Sequence, residues 1–142
     1  FGLIPVGFTY YIQTGAWPWE VSVAALACGL VIDTMLMVNN FRDRDEDARC
    51  DKRTVVVCLG AGVGRWGYFA LGAAAVALCL TLLAGGRPWA ALLPLAYLAA
   101  HTATWRKMVR IDHGEELNVC LGETARNILL FGALFTVGIL LG

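Results

Sequence analysis

Acidic side chains recur at one spacing in a short stretch of this chain, Asn39-Asn40-Phe41-Arg42-Asp43-Arg44-Asp45-Glu46-Asp47-Ala48-Arg49-Cys50-Asp51-Lys52-Arg53-Thr54. Asn39, Asp43, Asp47 and Asp51 stand four apart, so a continuing helix stacks them along one slowly drifting face. Like charges at that spacing oppose one another, and a cation is expected to offset the repulsion. Magnesium suits the set: it takes oxygen ligands and is usually held by one or two carboxylates together with substrate phosphates. Asp43 and Asp47 are the expected metal ligands, with Asn39 adding an amide oxygen from the membrane edge. Lys52 and Arg53 then bring the positive charge a diphosphate needs, Lys as a point charge and Arg as a bidentate fork.

The same residue types also make a solvated, salt-bridge-laced connector, and a transporter or ion-binding fragment would use such carboxylates to hold a cation. A transporter keeps its charged groups near the bilayer midplane. This cluster instead adjoins Lys and Arg at the edge of an apolar segment, which suits an anionic headgroup better.

The elements that must position these groups follow from composition. The 142 residues are 58% hydrophobic and 15% charged, with a mean hydropathy of +0.65, against roughly 45–50% apolar and 25% charged in soluble domains. Lipid is therefore expected to be the solvent for much of the chain. Eleven basic and eleven acidic residues balance, which implies no nucleic-acid partner. The charges crowd into 41–53 and 105–116, leaving long stretches nearly free of them.

Spanning helices need about 20 mostly apolar residues, and such runs are expected at 19–40, 64–84, 88–104 and 119–141, with 1–12 as the tail of an earlier span. The fold class predicted is all-α, a multi-span transmembrane bundle of about four full spans plus a partial one. Arg42, Arg44, Arg49, Lys52 and Arg53 lie in one connection and Arg106, Lys107 and Arg110 in another, while Arg87 stands alone between them. By the positive-inside rule both basic connections face the cytoplasm. Residues 55–60 are too short to span and are read as a partly amphipathic return to the bilayer. Cys28, Cys50, Cys58, Cys79 and Cys120 have neither CxxC spacing nor an even count and are read as small hydrophobes. His101 and His113 are lone histidines without ligand spacing.

Three separated blocks carry a resemblance. They are Gly7-Phe8-Thr9-Tyr10-Tyr11-Ile12-Gln13-Thr14-Gly15, the stretch from Asn39 through Asp43 and Asp47 to Lys52-Arg53-Thr54, and Glu116-Leu117-Asn118 with Leu121 and Thr124-Ala125-Arg126. Their order and spacing along essentially the whole chain resemble the UbiA-type polyprenyltransferases, and within them the members that prenylate 1,4-dihydroxy-2-naphthoate in menaquinone biosynthesis. The CDP-alcohol phosphotransferases also use DxxxD, but their upstream DGxxAR element has no counterpart here, since Thr34 follows Asp33.

The resemblance implies a helical bundle of about nine spans that holds a polyprenyl diphosphate through magnesium between two aspartate-rich motifs, one in each half. Only the second motif matches, so residues 1–142 are expected to be the C-terminal half of an intramembrane prenyltransferase domain of the cytoplasmic membrane. That half is expected to be inactive without the N-terminal half carrying the first motif. The implied reaction transfers the polyprenyl group to an aromatic quinone precursor, giving demethylmenaquinone. Asn39, Asp43 and Asp47 map onto the family's NxxxDxxxD, and Lys52 onto the Lys of its closing GK-x-T; the catalytic set is Asp43, Asp47 and Lys52. Where the family usually has Gly, this chain has Asp51, so either Asp51 tolerates a positive φ or the loop differs.

Tyr10, Tyr11 and Gln13 are expected to line the acceptor or cation pocket, since aromatic faces attract positive charge, or else to form an interfacial belt. Arg126 is expected to help bind the diphosphate or the acceptor carboxylate, or to snorkel to headgroups. Asp33, inside a span, is functional by default, or else protonated or paired with a partner helix. Trp105, Arg106 and Lys107 read as an anchor against anionic lipid.

Overall fold

Helix boundaries follow local chemistry from the first residues of the chain. The computed structural model describes residues 1–142, and it contains helices and connections with no strand. A π-helical turn, Leu3–Phe8, runs into α1 (Thr9–Thr14), which stops where Gly15 turns to φ 69°. Pro18, extended at φ −67° and ψ 154°, then starts α2 (Trp19–Arg42) with Glu20 in its first turn, a position that favours an acid at the positive end of the helix dipole. After α2 come α3 (Arg44–Arg49), α4 (Val55–Leu59), α5 (Ala61–Leu80), α6 (Pro88–Leu92), α7 (Leu95–Ile111) and α8 (Asn118–Leu140).

Three stretches are long and apolar enough to cross a membrane: Trp19–Arg42 with 24 residues, Ala61–Leu83 with 23 and Glu115–Leu140 with 26. They correspond to three of the four expected spans. The remaining one, expected at 88–104, is not a single helix. It breaks at Leu93 and Pro94 into α6 and α7, because proline has no N–H to continue the ladder and its ring crowds the preceding turn. The helix then continues to Ile111, seven residues past the expected end.

α5 packs along α2, and α8 packs against α6, α7 and α2. Two buried clusters result. One, with Val31, Val76, Tyr97, Phe131 and Phe135, fills the half of the bundle beside α6. The other, with Val38, Phe41, Val56, Tyr68, Met108 and Leu117, lies under the acidic loop.

His101, Tyr68, Tyr97, Thr104, Thr124 and Asn127, buried between the helices, have paired polar groups, as the interior of such a bundle requires. His101 lies stacked between Tyr68 and Tyr97 at 4.6 and 5.1 Å. Its Nδ1 meets the Tyr97 hydroxyl at 3.1 Å and its Nε2 the Tyr68 carbonyl at 3.1 Å. The Tyr68 hydroxyl reaches Thr124 at 2.9 Å, and Asn127 donates to Thr104 at 3.0 Å. The packing demands glycine at position 72, where a Cβ would come within 2.3 Å of His101 Nε2. Cys79 and Cys120 are buried, as small hydrophobes are expected to be, whereas Cys50 and Cys58 are exposed.

Candidate functional site

The acidic stretch is not one continuous helix, but the i, i+4 relation at its start survives. α2 ends at Asp43, which bends the chain at φ −88° and ψ 2°. Across the bend Asp43 N–H still donates to Asn39 O at 3.0 Å and Asp47 N–H to Asp43 O at 2.8 Å. α3 is thus a bent continuation of α2.

Asp51 leaves the ladder, which corrects the expectation of four stacked residues. It sits at φ 55°, and the Lys52 N–H reaches back to Asp47 O at 2.8 Å, the hydrogen bond of a helix terminated by a left-handed residue. Asp therefore takes the conformation for which glycine is ordinarily selected. Thr54 next caps α4, its hydroxyl accepting from Val57 N–H at 3.2 Å.

Arg42 organises the side chains at the bend. Its Nε and Nη2 donate to the two carboxylate oxygens of Asp43 at 2.6 and 2.8 Å, Nη2 also reaches Asn39 Oδ1 at 3.1 Å, and Nη1 donates to Asn118 Oδ1 at 2.8 Å. The hydrogen bond from Arg42 is the main reason the Asp43 carboxyl is held below the usual carboxylate range. Asp47 is buried; its Oδ1 accepts from Lys52 Nζ at 3.0 Å, and its Oδ2 is buried with no partner at all. Buried polar atoms are rarely left so, and each such atom calls for a ligand, a water or a role.

A second loop closes on this one. Arg44 lies over the Phe41 ring at 4.4 Å and donates through Nη1 to the carbonyls of Phe41 at 3.0 Å and Asp112 at 2.6 Å. The Asp112 carboxylate pairs with Arg65 at the start of α5 and lies 3.7 Å from Arg44 Nη2. Chiefly through the Arg65 hydrogen bond, its carboxyl too is held below the usual range. Asp112 itself adopts φ 67°, so three elements meet at a residue in an uncommon conformation.

Between the loops opens a polar cleft of about 490 Å3, lined by Arg42, Asp43, Asp45, Glu46, Arg49, Gly114, Glu115 and Asn118. Four carboxylates face two guanidinium groups there, so the bare cleft attracts cations and repels a free diphosphate.

The expected site residues are thus partly assembled. Asn39, Asp43 and Lys52 cluster with Asp47 through the contacts above, although Asp47 turns toward Lys52 and does not line the cleft. Arg53 is exposed beside them, and Arg126 is exposed on α8, about 12 Å along the helix from Asn118 at 1.5 Å per residue. Tyr10, Tyr11 and Gln13 are not brought to this end. Gly2 packs against Ala25 and Gly29, and Gly7 against Trp17, so the first segment runs antiparallel to α2 and leaves these three by Trp19. That is about 36 Å of helix from Asp43. Tyr10 instead lines an apolar cavity of about 570 Å3 with Val21, Leu82, Arg87 and Phe135.

Trp105 and Lys107, expected at lipid headgroups, serve the bundle: Trp105 Nε1 donates to Arg65 O at 3.0 Å and Lys107 pairs with Glu123. Sequence reasoning missed Arg42, Arg44, Arg65, Asp112 and Asn118 as members of the site. Arg42, Arg44 and Asn118 lie within matching blocks, which was the one hint available; Arg65 and Asp112 gave none.

No three His, Cys, Asp or Glu side chains converge to hold a metal ion within this chain. The donors nonetheless fit a share of a hard-cation site. They are oxygens only, as magnesium prefers, and Asp47 Oδ2 is the unpaired atom such an ion would satisfy.

Comparison with known proteins completes the picture. The 1,4-dihydroxy-2-naphthoate octaprenyltransferase of Haemophilus influenzae is 32% identical over 146 residues, covering 100% of this chain and 46% of that protein. The protein of the same name from Escherichia coli is 30% identical over 146 residues, covering 99% and 46%. That from Mycobacterium tuberculosis is 36% identical over 104 residues, covering 70% and 35%. The chain spans about half the length, or less, of the curated relatives it matches. No solved structure matches significantly. The profile of the UbiA prenyltransferase family matches residues 1–131, and the chain belongs to that family.

Proposed function

We propose that the full-length protein carrying this chain transfers a polyprenyl group from polyprenyl diphosphate to an aromatic acceptor, 1,4-dihydroxy-2-naphthoate, in a magnesium-dependent reaction giving demethylmenaquinol, the hydroquinone of demethylmenaquinone. The observation that carries this reading is a carboxylate-rich cleft lined by Asp43, with an unpartnered buried oxygen on Asp47 one helical turn further on, at one end of an apolar bundle of this family. A bound magnesium ion would be held by Asp43, Asp47 and Asn39 together with the other half of the protein, and would supply positive charge to the departing diphosphate. Lys52 and Arg53 donate to the phosphate oxygens, and Arg126 serves the diphosphate or the acceptor carboxylate. The prenyl carbon–oxygen bond breaks, the electron-rich ring attacks the allylic carbon, and the ring carboxylate leaves as carbon dioxide. The apolar helix walls exclude the water that would otherwise capture the carbocation.

The bundle lies in the cytoplasmic membrane with the acidic loop on the cytoplasmic side. Supporting this, Arg42 through Arg53 and the Arg106–Arg110 segment share one end of the bundle, while Arg87 lies at the other. The N-terminal half, with the first aspartate-rich motif, completes the site.

The test is magnesium-dependent prenylation of dihydroxynaphthoate by the full-length protein beside Asp43→Ala and Asp47→Ala. Each substitution is expected to lower turnover at least about 100-fold. Normal turnover in both variants would overturn the assignment.

A further inference from the structure

Resting on the divalent-cation reading above, we propose that Arg42 is the resident counter-cation of the site: its guanidinium holds Asn39 and Asp43 until a divalent ion displaces it. Both oxygens of Asp43 are taken by Nε and Nη2, at 2.6 and 2.8 Å, and the Asn39 amide oxygen by Nη2 at 3.1 Å. Two of the three proposed metal ligands are therefore already satisfied by a positive charge. A metal ion draws on those same oxygens; each has a second lone pair, but two cations a few ångströms apart repel, so the hold of one weakens the hold of the other.

The exchange is physically accessible. The Arg42 and Asp43 side chains are 26% and 25% exposed, so water and ions reach the fork, whose two-point geometry makes it a stronger competitor than a simple surface pair. Asn118 gives the displaced group a place to remain, since Nη1 is anchored on its Oδ1 at 2.8 Å from a different helix. Released from Asp43, the guanidinium stays at the cleft wall, where its charge faces the incoming anion. Asp47 takes no part in the exchange, its Oδ1 being held by Lys52 and its Oδ2 free.

A competing cation and a scaffolding residue predict opposite signs. If Arg42 competes, removing it tightens metal binding; if it only holds Asn39 and Asp43 in place, removing it loosens them and weakens binding. The probe is Mn2+ alone, without diphosphate, titrated into the detergent-solubilised full-length protein and followed by the electron paramagnetic resonance of the free ion. Arg42→Gln is expected to lower Kd about threefold to fivefold, with Arg42→Lys in between. An unchanged or raised Kd in Arg42→Gln overturns the proposal.

Should Arg42→Gln fail to fold, Arg42→Lys keeps the charge but loses the two-oxygen fork; it must lower Kd about twofold, and no tightening there is equally fatal. Asp43→Asn separates the two levels of the account. If it weakens Mn2+ binding while Arg42→Gln does not tighten it, the metal site stands and the counter-cation falls. If the wild type binds no Mn2+, or Asp43→Asn binds it equally well, both fall together.

Discussion

Asp51 shows how one backbone angle can explain a departure from a family pattern. A non-glycine residue in the left-handed region is strained, by about 1–2 kcal/mol, and Asp is among the few that tolerate it. Asp51 takes it at φ 55° because the chain must leave α3 there and present Lys52 to Asp47. Asp51→Gly is therefore expected to stabilise the protein by about 1 kcal/mol, measured as a higher midpoint of thermal unfolding in detergent, with the Lys52–Asp47 contact intact. A lower midpoint would mean that the Asp51 side chain contributes something the geometry does not reveal. The sequence was legible to this depth: spacing identified Asn39, Asp43 and Asp47, and the absent glycine marked the turn. It was silent about Arg42, because an arginine next to an aspartate looks the same whether its fork is in water or closed on its neighbour.

At the scale of elements, the spans were read from apolar length, and the principal error came from a proline. The run at 88–104 has the composition of a span, yet Pro94 splits it into α6 and α7. The contacts that bring the two loops together were not legible, because Arg44, Arg65 and Asp112 lie 21 and 47 residues apart, and residues so far apart in sequence leave no local pattern. Asp112 ties α3, α5 and α7 into one unit, which makes it the residue to test. Its folded pKa lies below the ordinary value, chiefly because of Arg65, so its contribution is present above the unfolded pKa near ~3.9. That contribution is lost as pH falls through the folded value. Asp112→Asn, which keeps tolerance of positive φ, is expected to cost about 1–2 kcal/mol at neutral pH. The gap in unfolding midpoint from the wild type should narrow as pH is lowered from about 5 and close below the folded value. A gap constant with pH would show that the carboxylate charge is not what holds the loops.

At the scale of the whole molecule, one end of the bundle is acidic and cleft while the far end is aromatic and apolar. The two are joined by α2, about 36 Å long at 1.5 Å per residue. That Tyr10, Tyr11 and Gln13 lie at the far end from Asp43 was not legible, because sequence order does not reveal that the first segment doubles back along α2; Gly2, Gly7 and Gly29 make that close approach possible. The chain spans about half the length of its relatives, and under the proposed function the rest of the full-length protein would complete the walls and the cleft.

The central claim is that Asp43 and Asp47 share a divalent ion which in turn holds the diphosphate. The most direct measurement is anomalous diffraction from crystals of the full-length protein grown with Mn2+ and a slowly reacting prenyl thiodiphosphate. The account predicts a manganese peak within about 2–2.5 Å of carboxylate oxygens of both residues, with the diphosphate on its other side. A peak elsewhere, with both carboxylates in bulk water and Asp47 Oδ2 still unpartnered, would contradict it.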